Sequence, residues 1–140
     1  MKAKRQFPNI ILAELRRAKG LRIRAGNGQH NFIGIWHVLI KDRVFVRSWS
    51  VKPDGWFQTF LEEPRGAIRL ADQEIPVRAV RITNERLRDA IDRAYLEKYN
   101  TSGALKYAKD LGLPKSRGTT IELVPSPSKS QTGRAAAANF

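Results

Sequence analysis

Apolar positions in this chain recur with two different periods, and the switches between them divide it into elements. Ile11, Leu12, Leu15 and Ala18 share one face at helical spacing, which predicts a helix over residues 9–19 stopped by Gly20. Residues 21–25 then alternate, with Leu21, Ile23 and Ala25 on one side of a strand and Arg22 and Arg24 on the other. Residues 33–40 are apolar on both faces except at His37 and meet a second apolar run, 44–49, at Lys41-Asp42, the pattern of a β-hairpin. Residues 67–70 are two-faced in the same way. Such strands wrap a barrel and are covered outside by helices or a partner chain, which predicts a homodimer.

Asp54-Gly55 can cap and turn into a short helix over 56–61, and Ala71-Asp72 connects to a strand over 75–82 with Pro76 at its start, where a missing donor is tolerable. Thr83 or Asn84 caps a long helix whose buried stripe is Leu87, Ile91, Ala94 and Tyr95, with Arg88–Asp92 and Asp89–Arg93 as outer i,i+4 pairs. Residues 102–111 read as a further helix ended by Gly112 and Pro114, and 119–124 as the last strand. The order is α+β and fits several small antiparallel folds. We divide the chain into an N-terminal helix packed on the sheet (1–20), one folded domain (21–125) and a tail (126–140) too poor in large apolar residues to order itself.

At 140 residues and 41% hydrophobic content there is room for one core. No cysteine is present, so disulfides, a thiolate nucleophile and sulfur-ligated metals are excluded, which together with the lack of a leader or spanning segment suggests a soluble cytoplasmic protein. The net charge of +13 points first to nucleic acid. Its distribution argues against that partner: residues 1–24 hold eight Lys/Arg against one acid, whereas 25–103 hold twelve against ten. The basic ends also lack interleaved aromatics apart from Phe7.

Chemistry concentrates in the basic and hydroxyl residues. Arg22 and Arg24 stand about 7 Å apart on one strand face and could reach one phosphate, although alternating arginine is also what a solvated strand face shows. Arg47, Ser48, Ser50 and Lys52 bring two cations and two hydroxyls to a hairpin end that runs into a helix start, the best anion site in the chain. His30 and His37 form no metal motif, and His37 reads as a packed strand histidine. Glu62 and Glu63 are adjacent and point apart. No nucleophile elbow, P-loop or dinucleotide fingerprint occurs, no side chain is assigned as catalytic, and any redox chemistry must come from a cofactor.

The ordered pieces LRIRAG, IWHVLI, VFVRS, DGWFQTFLEEP, VRAVRIT, AIDRAYLEKYN and RGTTIELVP resemble the bacterial DUF2255 group, relatives of the FMN-binding split β-barrels that include pyridoxamine-phosphate oxidases and deazaflavin-dependent nitroreductases. The resemblance runs from about Leu21 to Pro125. It implies a six-stranded antiparallel split β-barrel with flanking helices, a homodimer, and FMN with its phosphate on Arg47, Ser48, Ser50 and Lys52, assisted by Arg24 and its neighbour Arg22. Trp49 and Trp56 would flank the flavin ring, with Trp36 in the core. Thr59 and Phe60 stand where the nitroreductase-like pattern has Asn and Leu, which disfavours deazaflavin. An FMN-dependent oxidoreductase acting on a small organic substrate follows from the resemblance, with a cofactor-free ligand-binding barrel or a basic nucleic-acid-binding protein as the alternatives.

Overall fold

In the computed structural model, which describes residues 6–26, 31–49 and 55–126, six antiparallel strands close into a barrel. They are β1 (Gly20–Ala25), β2 (Ile33–Ile40), β3 (Arg43–Val46), β4 (Arg65–Leu70), β5 (Gln73–Arg81) and β6 (Ile121–Pro125), paired in the order β1-β2-β3-β6-β5-β4 with β4 returning to β1. Helix α1 (Asn9–Arg17) precedes the sheet and α2 (Trp56–Glu62) links β3 to β4. Helices α3 (Glu85–Lys98), α4 (Leu105–Asp110) and α5 (Pro114–Arg117) lie between β5 and β6. The segments Ser50–Asp54 and 127–140, on which part of the anion-site expectation and the tail fall, lie outside the described residues.

The period-2 positions sort as the alternation requires. Leu21, Ile23, Ala25, Val44, Val46, Ile68, Leu70, Val77, Ile121 and Leu123 point into the barrel. Its two ends are plugged by different helices. Ile11, Leu12 and Leu15 of α1 enter at the end carrying the β2–β3 turn, where Arg16 donates to the Lys41 carbonyl (3.1 Å) and pairs with Asp42. Phe57 and Phe60 of α2 enter at the other end, beside the start of β4. That approach needs a glycine: a Cβ at Gly66 would lie 2.4 Å from the Arg24 carbonyl oxygen and 2.8 Å from the Phe60 ring.

The outer face of the β2–β3 hairpin is covered from within the chain. Val38 and Phe45 pack beneath Ile91, Tyr95 and Tyr99 on one side and Ala108 and Leu111 on the other. Asn84 caps α3 by accepting the Leu87 N–H at 2.8 Å.

Three local expectations are corrected. The second hairpin strand stops at Val46 rather than 49, because the Ser48 N–H is taken by Thr119 Oγ1 (2.8 Å) instead of a ladder carbonyl. Asp92 and Asp89 do not pair along α3: Asp92 accepts from Arg47 and Arg117 (2.6 Å each), and Asp89 from Arg117 (2.8 Å). The additional helix α5, with Pro114 at its first turn, positions Arg117 for that cluster.

Candidate ligand cleft on the outer barrel face

The residues expected to hold an anion are distributed over three places. Arg47 is turned under α3, its side chain 0% exposed. Four of its five N–H groups are already engaged: Nε donates to Thr120 Oγ1 (2.8 Å), Nη1 to Asp92 Oδ1 (2.6 Å) and the Leu111 carbonyl (2.9 Å), and Nη2 to the Arg88 carbonyl (3.0 Å). Burial pulls its pKa down while Asp92 opposes the shift. This geometry makes Arg47 a strut between barrel and helices. Ser48 is buried beside it, and Ser50 and Lys52 lie outside the described residues.

Arg24 and Trp56 stand together near the α2 end, around a void of about 30 Å³ shared with Asn31 and Thr59. Arg24 pairs with Glu74 (2.9 Å) and lies over the Phe32 ring (4.5 Å), and Trp56 meets Phe60 edge-on at 6.1 Å. Of the predicted residues that the structure describes, only Arg22 and Trp49 meet in a cavity large enough for a ligand.

That cavity is an open cleft of about 550 Å³ on the outside of β1, β2 and β4. Cross-strand register builds it. Gly20 is opposite Trp36, Gly34 is opposite Arg22, and Arg22 is in turn opposite Arg69. The two glycines therefore form a floor without side chains between an indole and two guanidinium groups. At Gly34 an added Cβ would meet nothing within 4 Å, so the space above it is open.

The aromatic wall is held rigidly. The Trp36 ring stacks on Tyr99 with centroids 4.0 Å apart and an interplanar angle of 2°, and Trp49 meets Trp36 edge-on at 5.6 Å. The Tyr95 hydroxyl donates to the Trp36 carbonyl (3.0 Å). The Tyr99 hydroxyl accepts the His37 N–H (3.1 Å) and reaches the carbonyls of Lys19 and His37, its single proton serving one of them at a time. Burial raises both phenol pKa values, so both rings stay neutral donors.

The basic wall is compensated in part, since Arg69 stands opposite Glu74 on β5 and lies over the Phe32 ring at 4.5 Å. Lys19 and Arg22 have no ion-pair partner among the described residues, and Arg69 reaches Glu74 only at 3.6 Å, a carboxylate it shares with Arg24. Glu14, the one acid lining the cleft, is held by Arg17 at 2.7 Å. Like charges directly opposite across an antiparallel pair repel, a cost that Glu74 opposite Arg69 offsets in part and that an anion held between Arg22 and Arg69 would offset further.

His37 is fully buried and outside the cleft. Its Nε2 lies 2.7 Å from the Leu15 carbonyl, and burial, with nearby Lys98, lowers its pKa to about 4. A neutral ring donating to a carbonyl is the packing role expected for it. No group of three potential metal ligands occurs among the described residues, and none of their helices is long and apolar enough to cross a membrane. The cleft can thus bind and orient a flat anion, but it brings no nucleophile or redox group of its own.

Lys19, Gly34, Arg69 and Tyr99 were not singled out from sequence, and Gly20, expected to stop the first helix, instead opens β1, the helix ending at Arg17. The two glycines on a strand's outer face were a usable signal, because glycine weakens a strand and often marks close approach by a ligand. Arg69 had none, since its place beside Arg22 depends on the β1–β4 pairing.

Solved structures with this architecture include a Listeria innocua protein named as a candidate pyridoxamine 5'-phosphate oxidase. It is 14% identical, with a TM-score of 0.59 over 84% of this chain and 92% of that one. A conserved hypothetical protein from Mycobacterium tuberculosis is 12% identical, with a TM-score of 0.51 over 88% and 82%. At such identities the likeness is one of fold. No curated protein matches the sequence. The family model for uncharacterised proteins conserved in bacteria, DUF2255, matches residues 12–123, and the chain therefore belongs to that family.

Proposed function

We propose that the outer cleft binds a flat ligand bearing a phosphate, of the FMN type. The observation that carries this reading is the Arg22–Arg69 pair, opposed in register beside a glycine floor and facing an indole locked by Tyr99. The residues present fit the two halves of FMN. Arg22 and Arg69, with Lys19 at the edge, would hold the phosphate, and Trp36 and Trp49 would contact the ring. FMN would supply electron and hydride transfer when bound, making the protein an oxidoreductase of small organic compounds. The chain's own part is to orient the ring against Trp36, exclude water along that face and neutralise the phosphate.

The expected result is that FMN quenches tryptophan fluorescence saturably while riboflavin, which lacks the phosphate, binds at least tenfold more weakly. Arg22→Ala should weaken FMN by about 10- to 100-fold, the loss of roughly 1.5–3 kcal/mol from a charge-assisted contact, and leave riboflavin unchanged. Equal affinity for both flavins would contradict the assignment of the arginines.

A homodimer remains part of this proposal on narrower grounds than the sequence offered. The two-faced β2–β3 hairpin is covered by the chain's own helices, so the case for a second copy rests on Trp49 and Tyr107, 41% and 45% exposed and in edge contact at 6.1 Å. Sedimentation is expected to give a dimer at micromolar concentration that Trp49→Glu dissociates. A monomer under the same conditions would remove the dimer from the proposal.

A further inference from the structure

A second basic recess, of about 400 Å³, lies at the end of the barrel closed by α1 and is lined by Arg16, Leu39, Lys41 and Lys98. Its members come from α1, β2, the β2–β3 turn and the last turn of α3. The charged or titratable groups near it are Arg16, His37, Lys41, Asp42, Lys98 and Tyr99, whose ring lies 5.2 Å from the Lys98 ammonium. Asp42 is the one carboxylate in this group, and it is already paired with Arg16.

Lys98 is the informative member. Its ammonium donates to the His37 carbonyl at 2.9 Å and approaches His37 Nε2 at 3.3 Å. The neutral His37 ring offers its Nε2 proton to the Leu15 carbonyl at 2.7 Å, so that nitrogen has no lone pair for Lys98. Two of the three ammonium N–H groups are therefore left without a hydrogen-bond acceptor among the described residues, the Tyr99 ring face lying 5.2 Å away. Burial of the cation without a counter-ion lowers its pKa to about 8.

Helix C-termini favour nearby cations and account in part for Arg16 and Lys98. They do not account for Lys41, which sits on the hairpin turn at φ 57°. Nor do they account for the Lys98 ammonium being turned onto β2.

We infer that Arg16, Lys41 and Lys98 form a second anion site, separate from the cleft, that takes a phosphate-sized dianion. The lining sets that size and class. Leu39 is the one apolar side chain in it, which leaves no platform for a ring, and three cations against one engaged carboxylate call for two negative charges.

The test is a titration of the full chain with inorganic phosphate at pH 7.5 and constant ionic strength, read by the Nζ resonance of Lys98 and by calorimetry. Phosphate is expected to shift that resonance saturably and to raise the Lys98 pKa from about 8. The affinity read at the Lys98 resonance should weaken at least tenfold in Lys41→Ala and be unchanged in Arg22→Ala, and Lys98→Met, which keeps the aliphatic stem, should lose one of the phosphate sites that calorimetry detects. If Lys98→Met fails to fold, the exposed Lys41→Ala decides alone. Lack of saturation, unchanged affinity in Lys41→Ala, or affinity lost only in Arg22→Ala would each overturn the assignment. Because the arginine arm reports on the cleft, failure here is distinguishable from failure of the flavin proposal.

Discussion

Replacing Arg47 by methionine is expected to destabilise the fold by about 3–5 kcal/mol, the cost of removing one partner from a buried, hydrogen-bonded ion pair. The guanidinium joins the end of β3 to α3 through Asp92 and Arg88, to the segment after α4 through Leu111, and to the residue that precedes β6, Thr120. Its loss would leave two carbonyls and part of the half-buried Asp92 carboxylate without their donor. Urea unfolding of Arg47→Met against the parent reads the effect directly. Methionine fills much of the volume, so the change reports the polar network more than a cavity. Under conditions where the variant stays folded, its FMN affinity should equal that of the parent. A stable variant with abolished FMN binding would return Arg47 to the ligand site.

The second large effect concerns acid. His37 has an ordinary pKa of 6.5 when unfolded and about 4 when folded. Between those values the unfolded chain binds a proton that the folded chain refuses, so stability is complete above pH 6.5 and is lost as pH falls toward 4. At about 1.36 kcal/mol per unit, the window amounts to roughly 3 kcal/mol. The lowered carboxylates Glu63 and Glu85 act below pH 4.5, under most of this range. Urea unfolding at pH 7, 6, 5 and 4.5 should show the slope in the parent and its loss in His37→Gln, whose amide can still donate to the Leu15 carbonyl. An equal slope in both proteins would show that His37 is not the titrating group.

Much of the barrel could be read from sequence because its signals are local. The run from Ile33 to Ile40, the Lys41-Asp42 turn and the Asn84 cap each depend on a few neighbouring residues, and each stands where the pattern put it. Arg47 shows where local reading fails. A Val-Arg-Ser strand end before a polar loop reads as exposed, yet its partners Asp92, Leu111 and Thr120 lie 45, 64 and 73 residues away. The alternation of Arg22 and Arg24 correctly put both outside the barrel, but only register separates them. Arg22 faces Gly34 and the open cleft, while Arg24 is drawn to Glu74. The cleft itself is a product of strand pairing, with a glycine on β2, a glycine and an arginine on β1 and a second arginine on β4 brought together only by register.

The central claim, that the glycine-floored cleft is the ligand site, is tested most directly by FMN titration of Gly34→Phe beside the parent chain. A Cβ at Gly34 would meet nothing within 4 Å, so the variant is expected to fold while its ring occupies the cleft beside Arg22. The account predicts saturable FMN binding by the parent and at least a tenfold loss in Gly34→Phe. Binding of equal affinity in the two proteins would place the ligand elsewhere and contradict it.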